Sequence, residues 1–257
     1  MSEPHRLSGL LGAVQFLTRV PVRTRVAVPW RRVVGWLPLV GLMIGAVVGG
    51  VYAATRELTE APLLSAAVAV AVGMMITGAF HEDGLADVAD AIAGGSTPAA
   101  RLRILDDPRH GTYGVAALAA SIVLRVTALG ALGNATGAVA ATLAHGLGRG
   151  GAVAVMGLAP ARATGLAAAT HTDIAGRART AGITVTIVVA ALLSGWWVAV
   201  AVAASICSTT VVTAVCRRAF GGINGDILGA IEQVGEVTTM IVVLALSAHH
   251  PLPSVLF

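Results

Sequence analysis

The stretch His81-Glu82-Asp83-Gly84-Leu85-Ala86-Asp87-Val88-Ala89-Asp90 sets four carboxylates within one short segment. Continued as a helix, it places Asp87 roughly 40° from Asp83 and Asp90 roughly 20° to the other side, so three of them share one face. Like charges at that spacing repel, and more strongly beside a bilayer; a bound cation is the natural compensation. All-oxygen ligation by Asp83, Asp87 and Asp90 suits Mg²⁺ or Mn²⁺ bridging to phosphate groups better than Zn²⁺. Glu82, about 100° off that face, either reaches the metal from the edge or serves as a cap. A solvated polar loop is the plain alternative for the whole segment.

Two further segments offer matching chemistry. In Leu105-Asp106-Asp107-Pro108-Arg109-His110-Gly111-Thr112-Tyr113-Gly114, the proline and glycines mark a turn. Asp107 and Arg109 are in a position to reach a metal–phosphate site, Arg109 by pairing with phosphate oxygens. His110 reads as a surface histidine. In Gly221-Gly222-Ile223-Asn224-Gly225-Asp226-Ile227-Leu228-Gly229-Ala230, a glycine-rich loop entering a helix offers free N–H groups to a phosphate at Gly225. Asp226 there either caps the helix or ligates the metal. Glu232 and Glu236 stand one turn apart in an apolar segment, and Arg125 and Arg149 lie inside others. Such charges are costly in lipid and need partners. Arg149 is the better substrate-contacting candidate of the two, and Arg125 the better candidate for a structural ion pair.

The elements that must hold these residues are membrane helices. The 257 residues are 56% hydrophobic and only 12% charged, too few charges to cover a water-facing surface. Mean hydropathy is +0.83. Apolar blocks run over 34–55, 62–80, 113–133, 136–158 and 227–248, and a double-length block over 182–216 divides at Ser194-Gly195. These predict an all-α, polytopic membrane protein of about seven transmembrane helices, forming a single integral membrane domain over 1–257. Residues 1–33 are expected to be a cytoplasmic or interfacial segment, with 7–17 lying along the surface. Residues 81–112 are expected to form an acidic cytoplasmic loop.

Every basic residue is Arg. Nearly all flank alternate loops, including Arg6, Arg19, Arg23 and Arg25 before the first span, and only Arg56 lies opposite; the Arg-rich side is therefore cytoplasmic. Glu82, Asp83, Asp87, Asp90, Asp106, Asp107 and Asp226 fall on that same side. The Arg residues are spread along loops, which excludes a nucleic-acid surface. Cys207 and Cys216 have no metal-ligand spacing and read as packing residues. Gly41, Gly45 and Gly49 form a small-xxx-small stripe for close helix packing, with a homodimer interface as the lesser alternative.

Phe16-Leu17-Thr18-Arg19-Val20-Pro21-Val22, the 81–90 acidic segment, Asp107 and Arg109 with Gly111-Thr112-Tyr113-Gly114, and Gly225-Asp226-Ile227-Leu228-Gly229-Ala230 appear in one order. Together they closely resemble the adenosylcobinamide-GDP ribazoletransferase (cobalamin synthase) family, from about residue 16 to 236. Glu82, Pro108 and Asn224 depart from its usual apolar residue, Ser and Thr. The resemblance implies a Mg²⁺-dependent enzyme of the bacterial inner membrane, with its active site on the cytoplasmic side. It would join adenosylcobinamide-GDP to α-ribazole or its 5′-phosphate, releasing GMP and forming adenosylcobalamin or its 5′-phosphate.

On that reading Asp83, Asp87 and Asp226 hold Mg²⁺, with Glu82 at the edge. Asp90 is a ligand or the base that takes the hydroxyl proton. Arg109 and Arg149 steady the transferring phosphate, while Asp107, Gly225 and Arg19 contact substrate. Two other functions are weighed. A CDP-alcohol phosphotransferase of phospholipid synthesis would follow its Asp-Gly pair with Ala-Arg, whereas Ala86 here precedes Asp87. A cation or corrinoid transporter would place its carboxylates near the bilayer midplane.

Overall fold

A computed structural model describes residues 5–22, 28–173 and 176–253. It is built of helices. These are α1 (His5–Leu17), α2 (Trp30–Val33), which continues through a 3₁₀ turn into α3 (Leu37–Thr59), α4 (Pro62–Thr77), α5 (Phe80–Gly94) and α6 (Pro98–Ile104). There follow α7 (Thr112–Gly130), α8 (Asn134–Val155), α9 (Leu166–Asp173), α10 (Gly176–Ser194), α11 (Trp197–Phe220) and α12 (Gly225–Ser247). Among the described residues there is no strand, and one isolated bridge, Pro160 to Ile223, ties the loop after α8 to the loop before α12.

The expected blocks all form helices, and the long one divides where Ser194 ends α10. Length and apolarity alone single out fewer than the seven expected spans. Five helical stretches are long and apolar enough to cross a membrane, and the α4–α5 pair would make six. The exception is α8. It has the length, but it carries His145, Arg149 and several glycines, and most of its residues are buried within the protein. A helix wrapped by other helices need not be apolar all round. In contrast, α10 and α11 turn large apolar side chains such as Val185, Val188, Ile206 and Val211 outward, as lipid contact requires.

Packing of α3 on α8 explains the glycine stripe. A Cβ on Gly41, Gly45 or Gly49 would stand 2.5–2.6 Å from the carbonyl oxygens of His145, Ala141 and Ala138. The stripe is thus consumed inside the chain.

The segment over 81–112, expected as a loop, is largely the helices α5 and α6. Gly84, Val88 and Ala91 form one buried face, and Ala86 is buried on the opposite side, so packing holds the stretch helical despite its charge. The chain turns by 91° between α4 and α5. Gly78 and Ala79 make that turn, both in the left-handed region at φ 69° and 57°. A non-glycine residue there costs about 1–2 kcal/mol, so the packing around the turn must hold it in place. At 15 residues with four carboxylates, α5 is too short and too charged to span a membrane by itself.

Side-chain bonds sort the loops into two ends. At one end Arg101 donates to the Ala219 carbonyl, Arg162 pairs with Asp106, and Arg179 donates to the Met156 carbonyl. At the other, Tyr52 donates to the Leu132 carbonyl and Asn134 pairs with Glu57. This is the alternation that the Arg distribution predicts; Arg23 and Arg25 lie outside the described residues.

Candidate metal and phosphate site

The acidic face of α5 lies against the start of α12. A Cβ on Gly84 would sit 2.7 Å from the Asp226 carbonyl oxygen, so only glycine lets the two helices approach there. Asp83, Asp87 and His110 bring ligand atoms within 4.8 Å of one another. The imidazole stands between the carboxylates, Nε2 3.5 Å from Asp83 and Nδ1 3.4 Å from Asp87. Burial, then the neighbouring charges of Asp83 and Asp226, push the Asp87 carboxyl up to about 6. Three carboxylates in mutual repulsion, with the Asp83 side chain 63% exposed, form a place where a cation would relieve strain and remain open to substrate.

Asp226 is free for that role because another residue caps α12. The Asn224 side chain accepts from the Ile227 N–H at 2.9 Å and donates to the Asp226 carboxylate at 2.9 Å. Asn is as good an N-cap as Thr, so this departure from the family pattern preserves the helix start.

Asp90 and Glu82 are not brought into the trio. Asp90 accepts the Gly111 N–H at 2.6 Å and the Gly114 N–H at 2.9 Å, thereby capping α7 from a distance. It fixes the turn that carries His110. To act as a proton acceptor it would have to give up part of that pairing. Glu82, 100° round the helix, points into the protein, where Arg125 donates to it at 3.0 Å.

That bond belongs to a buried network. Arg125 also reaches Glu236 at 3.3 Å, and Arg149 bridges Glu236 at 2.9 Å to Glu232. His145 contacts Glu236, and His81 lies 3.7 Å from Glu232. Glu232 and Glu236 are fully buried, so the partners that intramembrane charge requires are supplied within the protein. His145, Glu232 and Glu236 also converge closely enough for an ion. Arg149 already sets its guanidinium against both carboxylates, so the cation there is built in. Arg149 is only 2% exposed, and its pairing with glutamates leaves it little freedom to hold a phosphate as expected from sequence.

On the exposed side, Arg109 is locked to Asp107 by a bidentate pair at 2.9 and 2.7 Å. That pairing holds the Asp107 carboxyl down at about 2. An exposed pair of this kind is worth little, so exchange of Asp107 for a substrate phosphate is inexpensive. Arg19 lines an open polar pocket together with Thr18, Thr77 and Asp83. Its backbone N–H is fixed to the Ile76 carbonyl at 2.7 Å. Gly225 lies at the edge of an adjoining apolar cleft.

Sequence reasoning missed His110 and His81. His110 sits in a non-periodic turn, so nothing in its spacing tied it to Asp83 and Asp87; its place one residue before the Gly111-Thr112-Tyr113-Gly114 motif was the available signal.

The chain matches the family model described as Cobalamin-5-phosphate synthase over residues 9–244. It is 37% identical over 238 residues to an adenosylcobinamide-GDP ribazoletransferase of Bradyrhizobium diazoefficiens, covering 91% of this chain and 92% of that protein. The Rhizobium etli (strain CIAT 652) protein of the same name is 37% identical over 246 residues, covering 89% and 93%. That of Vibrio cholerae is 32% identical over 258 residues, covering 95% and 96%. No solved structure matches.

Proposed function

This chain belongs to the cobalamin-5-phosphate synthase family, and we propose that it carries out its transfer on the acidic face of α5. Its activity is that of an adenosylcobinamide-GDP ribazoletransferase, a final step of cobalamin biosynthesis. The observation that carries the placement is the convergence of Asp83, Asp87 and His110, with Asp226 beside them.

The donor set fits a divalent ion. Two carboxylates and one imidazole from two separate elements converge, and the Asp83 side stays open for water or phosphate oxygens. Mg²⁺ held by Asp83 and Asp87, with Asp226 adding charge and His110 at the edge, would neutralise the pyrophosphate of adenosylcobinamide-GDP. The 3′-hydroxyl oxygen of α-ribazole or its 5′-phosphate forms a bond to the phosphorus bearing cobinamide as its proton passes to solvent at the open Asp83 side. The bond from that phosphorus to the bridging oxygen breaks, and GMP leaves. Positioning and charge neutralisation supply most of such a transfer.

Arg109 exchanges Asp107 for a phosphate oxygen, and Arg19 closes the polar pocket beside Asp83. Asp90 positions: it holds the start of α7 and with it His110. The Arg-rich, acidic end of the bundle is the cytoplasmic one, as the distribution of positive charge supports. The test is turnover by the purified full-length protein in nanodiscs, supplied with adenosylcobinamide-GDP, α-ribazole and Mg²⁺. Stoichiometric GMP and cobamide, abolished by EDTA and restored by Mg²⁺, are expected. Undiminished turnover in EDTA would remove the metal from the proposal.

A further inference from the structure

Where α1 ends, the chain is tied to the turn between α4 and α5. The Arg19 N–H donates to the Ile76 carbonyl at 2.7 Å, and a Cβ on Gly78 would collide with the Arg19 guanidinium. Arg19 is thus set at both ends, its backbone against α4 and its charged head over the left-handed turn. A chamber of about 470 Å³ lies between these two segments and the start of α5. That size falls within the range of about 300–1,000 Å³ for sites that take small ligands.

The lining combines three kinds of group. Arg19 supplies a cation, Gln15, Thr18 and Thr77 supply hydrogen-bonding side chains, and Phe80 supplies an aromatic ring. The Thr18 hydroxyl donates to the Val14 carbonyl at 2.8 Å and the Thr77 hydroxyl to the Gly73 carbonyl at 3.1 Å. What each has left to offer a ligand is an acceptor. Phe80 meets Phe16 edge to face at 5.4 Å, and Phe16 meets Trp30 in the same way at 5.0 Å. Phe80 is held by that contact yet remains 42% exposed, so ring surface is left for a base to stack on. Asp83 lines the chamber and also belongs to the metal site, so the two are continuous.

We propose that this chamber is the subsite for the GMP half of adenosylcobinamide-GDP, with Arg19 on the phosphate that bears guanosine and the base against Phe80. The proposal rests on the ribazoletransferase reading and deepens it. When the acceptor oxygen bonds to the phosphorus bearing cobinamide, the bridging oxygen departs with the electron pair of the broken bond. The GMP phosphate thereby gains one negative charge. A cation beside the metal on the leaving side would neutralise it, and Arg19 lines a chamber that shares Asp83 with the metal site. Guanine carries donors and acceptors along one edge and can use the polar lining. The benzimidazole of α-ribazole has one free ring nitrogen and would leave most of that lining unpaired. Cobinamide is far too large for the chamber and must lie outside it.

The test uses full-length protein in nanodiscs with Mg²⁺. Calorimetry reads GMP binding to the wild type, Arg19→Gln and Phe80→Ala, and steady-state turnover reads the KM for each substrate. Both variants should raise the Kd for GMP and the KM for adenosylcobinamide-GDP about tenfold. The KM for α-ribazole should stay within about twofold of wild type. GMP affinity unchanged in either variant, or a rise confined to the KM for α-ribazole, would overturn the proposal. If neither variant folds, photolabelling of the wild type with 8-azido-GMP decides. Label on residues 15–19 or 77–83 is expected, and label confined to other segments overturns the proposal. A wild type that binds GMP in the chamber but turns over no acceptor would refute the ribazoletransferase reading and leave the nucleotide site standing.

Discussion

Replacing Arg125 with Met should destabilise the protein far more than the loss of one surface charge would. Arg125 is 3% exposed and donates to two carboxylates, Glu82 at 3.0 Å and Glu236 at 3.3 Å. Their fates differ. Glu236 keeps Arg149 and His145. Glu82 has its other oxygen already buried without a hydrogen-bond partner, so it would be left with no cation bonded to it. Removing one partner from a buried pair costs about 3–5 kcal/mol, because the survivor stays charged in low dielectric or must take up a proton. At about 2–4 °C per kcal/mol for a chain of this size, the midpoint of thermal unfolding should fall by roughly 6–20 °C. The double variant Arg125→Met, Glu82→Gln removes the stranded charge and should recover at least half of that loss. Differential scanning fluorimetry in one detergent, with EDTA present, measures all three proteins. A midpoint for Arg125→Met within 2 °C of wild type, or a double variant no better than the single, would show that Glu82 does not depend on Arg125 for its burial.

Because the Asp87 carboxyl titrates near 6 against 3.8 unfolded, its charge opposes folding: the folded state loses stability as pH rises from about 4 through 6. A divalent ion needs the ionised form, so Mn²⁺ affinity, read by titration calorimetry, should weaken as pH falls below about 6, and affinity flat from pH 7.5 to 5 would contradict this. Asp90→Ala strands two backbone N–H groups at the start of α7 and should cost about 2 kcal/mol of stability. The same change should weaken metal binding through His110, and an unchanged midpoint and affinity would remove its positioning role. His110→Ala removes the one nitrogen donor and should lower Mn²⁺ affinity more than Mg²⁺ affinity; equal losses would place His110 outside the ligand set.

Much of this site was legible in the sequence because its logic is local. Asp83 and Asp87 share a face by helical arithmetic, and the glycine-rich entry to α12 marks Asp226 as a carboxylate from a second segment. The division of 182–216 at Ser194 followed from length alone. What was hidden depends on partners far along the chain. Glu82 reads as an edge ligand until Arg125, 43 residues on, is seen to take it. Asp90 reads as a third ligand until the amides of Gly111 and Gly114 are seen to occupy it. Apolarity singles out five or six spans where about seven are expected, for a similar reason. Periodicity reports that α8 is a helix, but only packing shows that it is surrounded by protein and exempt from the apolarity that lipid demands.

On the proposed reading, Asp83 and its neighbours hold the metal on which transfer depends. The most direct test is the rate of GMP release and cobamide formation by Asp83→Asn in nanodiscs, titrated with Mg²⁺. Asp83→Asn is close in shape, and the carboxylate it replaces is mostly exposed, so folding should be preserved. The predicted result is a wild-type unfolding midpoint with turnover lowered at least about 100-fold and Mg²⁺ dependence shifted to higher concentration. Undiminished turnover with unchanged Mg²⁺ dependence would keep the activity and move the metal elsewhere.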